Sequence, residues 1–160
     1  MINQIQFPDK VTMEPGSGPS HHQFILQPLE VGYGSTIGNS LRRVLLSSIP
    51  SSAIVGVKIT DVLHEFQSIN GVKEDLAEII LNLKEVKIKT EIRKSFRIPM
   101  RFEGPGEIRA GDFQDFSPDI EIMNPDQYIC ILDDDTKFDM EILIERGFGY
   151  VPSEDHITRD

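Results

Sequence analysis

The chain has 160 residues, 39% of them hydrophobic and 26% charged, which is typical of one ordinary domain or two small ones. It lacks the run of about 18 apolar residues that a transmembrane helix requires. Its N-terminal residues also lack the basic and apolar pattern of a secretory signal. A single cysteine, Cys130, excludes an internal disulfide and a cysteine-rich zinc site. We therefore expect a cytoplasmic protein that does not enter a membrane.

The net charge of −10 comes entirely from the C-terminal part of the chain. Residues 1–95 carry ten acidic and ten basic side chains, whereas residues 96–160 carry sixteen acidic and six basic ones. Neither part has the excess of lysine and arginine by which proteins bind nucleic acid phosphates. We expect no direct contact with nucleic acid. The acidic part is either a solvated face or a surface for a basic partner.

The first part of the chain predicts a strand, a turn and a helix. Residues 10–23 mix proline, glycine and serine, which predicts an irregular lead-in. A short apolar strand is predicted over Gln23–Pro28, followed by a glycine-rich turn over Glu30–Gly34. A helix is predicted over Ser35–Ile49, with a hydroxyl side chain as its N-cap and with Pro50 ending it.

The predicted helix has two different faces. Four apolar residues recur at the i, i+4, i+7 and i+8 spacing of one helical stripe, and these are Ile37, Leu41, Val44 and Leu45. Arg42, Arg43 and Leu46 lie off that stripe. Guanidinium groups here present several fixed hydrogen-bond donors to a partner's carboxylates or carbonyls, or else they form a solvated face.

The rest of the chain predicts an α+β fold. A strand over Ala53–Thr60 precedes a helix over Lys73–Lys84, whose apolar residues have helical spacing. After that helix the pattern changes to period two. Alternating strands are predicted at residues 85–90, 95–102, 120–123, 128–132 and 138–145, with the last two joined as a hairpin by Asp133–Lys137. The change of pattern predicts a boundary near Pro50, which divides the chain into residues 1–50 and residues 51–160.

No nucleophile or metal-ligand constellation is evident. Cys130 lies within an apolar strand, where a buried and inert thiol is expected. His64 and Glu65 are neighbours on a possible strand, so their side chains point to opposite faces. The acidic run Asp133–Asp135 lacks the alternating spacing of a calcium loop. We expect no catalytic residue, no metal and no cofactor.

The turn Gly32–Gly38 is the strongest alternative. It follows a strand and opens a helix, as a dinucleotide-binding turn does, and Asp61 ends the next predicted strand. Its third glycine comes one residue too late for that fingerprint, and the later strands alternate instead of being continuously apolar. A small nucleotide-binding enzyme and a plain α+β interaction module therefore remain as rival interpretations.

Several motifs in order resemble the bacterial RNA polymerase alpha subunit. The motifs are Pro28-Leu29-Glu30, Gly32-Tyr33-Gly34-x-Thr36-x-Gly38-Asn39-x-Leu41-Arg42-Arg43-x-Leu45-Leu46-Ser47-Ser48-x-Pro50, Val62-Leu63-His64-Glu65-Phe66, Gly71-Val72-Lys73-Glu74-Asp75, Glu78-Ile79-Ile80-Leu81-Asn82-Leu83-Lys84 and Arg146-Gly147-x-Gly149-Tyr150-Val151-Pro152. The fit is weakest at residues 91–125. Two residues depart from the family's usual pattern, Val31 where a basic residue is common and Phe148 where a second arginine is common.

The resemblance implies an assembly protein. In that family two alpha subunits dimerise, and the dimer nucleates a DNA-directed RNA polymerase (a nucleotidyltransferase) by binding the beta and beta-prime subunits in transcription. The family's N-terminal domain has a dimerisation lobe and a mostly β lobe inserted in it. The resemblance implies a large-subunit contact at Arg42, Arg43, Leu46, His64 and Lys84 and a dimer contact through Ile37, Leu41, Val44 and Leu45.

The same resemblance implies that the sequence is a fragment. Residues 1–50 would be an incomplete dimerisation lobe, and residues 51–160 would be the inserted lobe. The cellular location implied is bacterial cytoplasm, with nucleoid association as part of the polymerase. Apolar surface in residues 1–50 should then remain uncovered, which favours association or partial disorder there. Residues 103–119 carry no interpretable motif.

Overall fold

The computed structural model describes residues 7–18, 21–60, 62 and 66–156. These residues form helices and antiparallel strands, which confirms the α+β class. The chain divides into two compact units between Ser48 and Ile49.

The first unit begins with an antiparallel hairpin. Its strands are β1 (Lys10–Pro15) and β2 (His22–Gln27). The prediction of an irregular lead-in is therefore wrong for β1, where apolar and polar residues alternate as in a strand. After Pro15 the chain turns, and the His21 carbonyl accepts a 2.8 Å hydrogen bond from the Gly16 amide.

The helix α1 (Tyr33–Ser47) follows the hairpin. It begins two residues earlier than predicted, because Gly32 adopts a left-handed φ of 91° and turns the chain into the helix. The predicted hydroxyl cap is wrong, since no side chain caps the helix. At its C-terminus the Ser48 amide donates a 2.9 Å hydrogen bond to the Val44 carbonyl.

The second unit is built on a five-stranded antiparallel sheet. The long strand over Lys137–Phe148 pairs with a neighbouring strand on each side. In one of these pairings the apolar residues that were predicted to share a face lie opposite each other, such as Phe102 against Phe138 and Ile98 against Ile142. Proline at position 99 fits an edge strand, because an edge leaves backbone amides unpaired. In sheet order the strands are β5 (Phe96–Glu103), β9 (Lys137–Phe148), β3 (Pro50–Ile59), β4 (Ile88–Lys89) and β7 (Glu121–Ile122).

A smaller sheet pairs β6 (Gly106–Arg109) with β8 (Tyr128–Leu132). The predicted hairpin between β8 and β9 is therefore wrong, because the two strands belong to different sheets. The other edge of β8 is occupied by the segment 71–74, through the Val72–Leu132 bridge and a 3.1 Å bond from the Lys73 amide to the Ile131 carbonyl.

The helix α2 (Leu76–Lys84) begins three residues later than predicted. Residues before it are held extended along β8, and the Asp75 carboxylate caps the helix by accepting a 2.8 Å hydrogen bond from the Glu78 amide. Three residues of its predicted apolar face are buried in the core, namely Leu76, Ile79 and Leu83.

Residues 103–119 contain β6 and a 3₁₀ helix over Ala110–Phe116. Phe113 on this helix is fully buried, and its ring lies 6.3 Å from that of Phe102. Phe116 lies against the same ring at 5.1 Å but is 37% exposed. A segment without a readable motif thus supplies part of the core. After β9 the short helix α3 (Ser153–His156) ends the described residues.

We expect Phe113→Ala to lower the free energy of unfolding by about 3–5 kcal/mol, because it empties a closed part of the core. Phe116→Ala is the matched control and should cost less than about 2 kcal/mol, since that ring is partly solvated. Urea unfolding of both variants measures the difference. Equal losses would contradict the placement of Phe113 in the core.

Candidate partner-binding surfaces

The helix α1 exposes the apolar stripe that the sequence predicts. Leu41, Val44 and Leu45 are 55%, 52% and 63% exposed, and Ile37 is half-buried. No described residue of α1 is buried. Four large aliphatic side chains in one row on a helix are typical of a surface that packs against another protein element.

The opposite side of α1 carries the predicted arginines. Asn39, Arg42, Arg43 and Leu46 are spaced i, i+3, i+4 and i+7, so they form one continuous face that we call the arginine face. All four are exposed, and Leu46 is exposed by 63%. Neither arginine forms an ion pair with any residue that the structure describes. Both guanidinium groups therefore remain available to an external carboxylate.

The hairpin adds a second apolar surface to the first unit. Val11 lies opposite Leu26 and Met13 opposite Phe24, so these four side chains share one face of the two strands. Val11, Met13 and Phe24 are exposed. This hairpin face and the apolar stripe of α1 are two exposed apolar surfaces of the first unit.

Lys84 is the last residue of α2 and is exposed. It stands at the rim of an apolar notch of about 70 Å³, which Ile80 and Leu83 of α2 and a stretch of β3 line. The notch lies at a β-bulge in β3, between Ile54 and Gly56. An ammonium group beside an apolar recess suits a partner segment that combines an apolar side chain with a carboxylate.

Other members of the matched motifs have different positions. His64 lies outside the described residues. Phe148 ends β9 opposite Pro50 and is exposed, as are Val31 and Tyr150. The two departures from the family pattern, Val31 and Phe148, therefore fall on surface positions and not in the core.

A groove of about 520 Å³ lies against β3, β5 and β9. Its two carboxylates, Asp139 and Glu141, are each paired with an arginine, and Lys58 also lines the groove. Arg101 donates hydrogen bonds of 2.6 and 3.0 Å to Asp139, which lower the pKa of that carboxyl, and Arg97 donates one of 3.1 Å to Glu141. The lining carboxylates and the guanidinium group of Arg101 are therefore already paired.

The structure contradicts the rival nucleotide-binding interpretation. The strand before the Gly32–Gly38 turn is β2, and its one partner among the described strands is β1, in an antiparallel hairpin. A dinucleotide-binding turn instead lies at the carboxyl edge of a parallel sheet. Among the described strands every pairing is antiparallel.

Cys130 is fully buried in β8, as the sequence predicts. Burial, together with the nearby Glu74 carboxylate, raises the pKa of its thiol to about 12. A thiol in this environment is a packing group and a poor nucleophile. No group of three or more metal-ligating side chains occurs among the residues that the structure describes. No helix within the described ranges is long and apolar enough to cross a membrane.

Sequence reasoning missed the environment of Glu74. Its side chain is only 6% exposed and accepts hydrogen bonds from the Tyr128 hydroxyl and from the Ile131 amide, the latter at 2.8 Å. Burial and the Glu74 carboxylate together raise the pKa of Tyr128 above its ordinary value. Position 74 reads as an exposed first-turn residue of a helix, so no local signal indicated that it would be buried.

The second unit matches a known family. Residues 57–160 match the family model described as the RNA polymerase Rpb3/RpoA insert domain, which covers more than half of the chain. The fold and this match define an RNA polymerase subunit domain.

Whole-chain relatives narrow the family. The chain is 53% identical over 145 residues to the DNA-directed RNA polymerase subunit alpha of Thermus aquaticus, 45% over 157 residues to that of Prosthecochloris aestuarii, and 45% over 155 residues to that of Alkaliphilus metalliredigens. These alignments cover 89%, 98% and 97% of this chain, but 46%, 48% and 49% of those proteins. The chain spans about half the length of these curated relatives. It belongs to the RNA polymerase alpha-subunit family.

The buried thiol of Cys130 and the half-buried phenol of Tyr128 predict a loss of stability at alkaline pH. Their folded-state pKa values lie above the unfolded ones, so each group stabilises the fold fully below its unfolded pKa. For Cys130 this stabilisation is complete below about pH 9 and is lost as the pH rises towards about 12. We expect the free energy of unfolding to fall by about 1 kcal/mol per pH unit for Cys130 alone in this window.

Urea unfolding between about pH 8 and about pH 11 tests this dependence. Cys130→Ala should show a shallower decline than the unsubstituted protein, whatever its stability at neutral pH. Parallel curves for the two proteins would contradict the role given to the thiol.

Proposed function

We propose that this protein is a non-catalytic scaffold subunit of DNA-directed RNA polymerase, which dimerises and nucleates assembly of the beta and beta-prime subunits. One observation carries the proposal. The helix α1 exposes two distinct surfaces on opposite sides, an apolar stripe and an arginine face, in a chain of the alpha-subunit family.

The apolar stripe supports dimerisation with a second alpha subunit. Three of its side chains are more than half exposed, and the hairpin face adds further apolar area in the same unit. Covering such area is favourable by about 25 cal/mol per Å². A helix stripe that meets its own copy across a two-fold axis forms a self-complementary contact.

The arginine face supports the contact with the large subunits. Arg42 and Arg43 are fixed on a helix, and Leu46 adds an apolar contact beside them. Arginine is enriched at the centres of protein interfaces because its planar fork binds carboxylates and carbonyls in two places. Lys84 beside the apolar notch is the corresponding candidate in the second unit.

The reaction itself is assigned to the large subunits. No residue of this chain is proposed to be catalytic, because the most reactive side chain type present, the thiol of Cys130, is buried and its pKa is raised. The proposal includes no cofactor and no direct contact with nucleic acid. It places the protein in the cytoplasm, with the polymerase on the nucleoid.

We expect Arg43→Ala to weaken binding of the beta and beta-prime subunits by about tenfold or more, because truncating an anchoring interface arginine costs about 1–4 kcal/mol. The measurement is a pull-down from the protein's own cells with the full native protein as bait, in which the beta and beta-prime subunits are identified and quantified. Arg93→Ala, which removes an exposed arginine outside the proposed surfaces, is the matched control. Equal binding by both variants would contradict the role of the arginine face.

Substitutions of two equally exposed leucines test the two surfaces of α1 separately. Leu45 lies on the apolar stripe and Leu46 on the arginine face, and each is 63% exposed. Leu45→Glu should abolish the dimer, because it places a charge in an apolar contact. Leu46→Glu should leave the dimer intact and weaken large-subunit binding. Sedimentation of the full native protein measures the first effect, and dissociation by both variants would argue against two separate surfaces.

A further inference from the structure

Glu74 is a buried carboxylate that neither the dimer contact nor the arginine face uses. It forms no ion pair within the part of the chain that the structure describes. A buried charge without a cation is costly unless its oxygens are hydrogen-bonded in good geometry. Both oxygens of Glu74 meet this condition, with the Tyr128 hydroxyl on one and the Ile131 amide on the other.

The carboxylate completes the edge of β8. The extended residues before α2 pair with this edge up to the bond from the Lys73 amide to the Ile131 carbonyl. At Asp75 the backbone turns into α2 and leaves the edge. The Ile131 amide then donates its 2.8 Å bond to the Glu74 side chain, which supplies the acceptor that a continuing strand would have provided.

A second contact ties the other end of α2 to the same strand. The Asn82 side-chain amide donates a 2.9 Å hydrogen bond to the Ile129 carbonyl of β8. The helix is thus attached to one strand edge just before its first residue and again near its last turn. Two attachments restrict both rotation and sliding of α2, and Lys84 lies two residues beyond the second one.

We propose that Glu74 is a positioning residue, whose hydrogen bonds to Tyr128 and Ile131 fix the placement of α2 on β8 and thereby the placement of Lys84 for the large subunit. This inference rests on the proposed function, because it assigns Lys84 to the large-subunit contact. Glu74 itself touches no partner.

The chemistry of glutamine makes the proposal testable. A glutamine at position 74 can accept from the Ile131 amide on its oxygen and donate from its nitrogen to the Tyr128 oxygen, so both attachments survive without the charge. An alanine loses both. If Glu74 acts by positioning, Glu74→Gln should retain large-subunit binding that Glu74→Ala loses. If the charge itself is required, both variants should lose binding equally.

Binding of the large subunits by the full native protein is the decisive measurement. We expect Glu74→Ala to weaken binding about tenfold and Glu74→Gln to weaken it by less than about threefold. In a Lys84→Ala background, Glu74→Ala should cause no further loss of large-subunit binding, because the lysine that α2 positions is already absent. If Glu74→Ala does not fold, Tyr128→Phe takes its place, with a smaller loss that also disappears in that background.

Absorbance titration reports on the Glu74 contact without any partner. The chain has three tyrosines and no tryptophan, and Tyr33 and Tyr150 are exposed while Tyr128 is not. The pKa of Tyr128 is raised partly by the carboxylate, so its ionisation should move to lower pH in Glu74→Gln while the other two tyrosines stay unchanged. An unchanged curve would overturn the contact on which the proposal rests.

The binding results distinguish a failure of the positioning role from a failure of the proposed scaffold function. No binding by the unsubstituted protein would overturn the proposed function and this inference with it. Normal binding by that protein, with equal losses in Glu74→Ala and Glu74→Gln or an undiminished penalty in the Lys84→Ala background, would overturn the positioning role alone.

Discussion

The second unit depends on one strand that is paired along both edges. β9 runs over Lys137–Phe148 between β3 and β5, and its alternate residues Phe138, Met140, Ile142 and Ile144 are almost fully buried. A shift of one residue in its register would expose this entire set to solvent. The same constraint fixes the opposite face, where the charged residues of β9 meet arginines of β5 and form ion pairs at the surface.

The second sheet is joined to α2 by polar contacts as well as by packing. The edge of β8 that does not pair with β6 is hydrogen-bonded by an extended segment, then by the carboxylate of Glu74, and finally by the side-chain amide of Asn82. Gly71 at the start of this segment has a φ of 77°, and a side chain there would collide with Thr136. Backbone shape and side-chain chemistry thus cooperate to end a strand and begin a helix within a few residues.

The first unit has the opposite character. Its hairpin and α1 leave large apolar side chains in solvent, and its two arginines have no ion-pair partner among the described residues. Exposed apolar surface of this kind is typical of a site that another protein element covers, and it otherwise promotes aggregation. This contrast supports the proposed scaffold role, since the second unit buries its apolar residues in a core while the first unit leaves apolar surface exposed.

Periodicity in the sequence determined the two longest helices, the paired faces of β5 and β9, and the exposed arrangement of α1, because these depend on spacing within one segment. Family motifs determined the alpha-subunit assignment. Sequence did not reveal that β8 and β9 lie in different sheets, that α2 starts at Leu76, or that Phe113 is in the core. The burial of Glu74 was equally hidden. Each of these depends on which distant segment occupies an edge or fills a gap, and only the tertiary structure decides that partner.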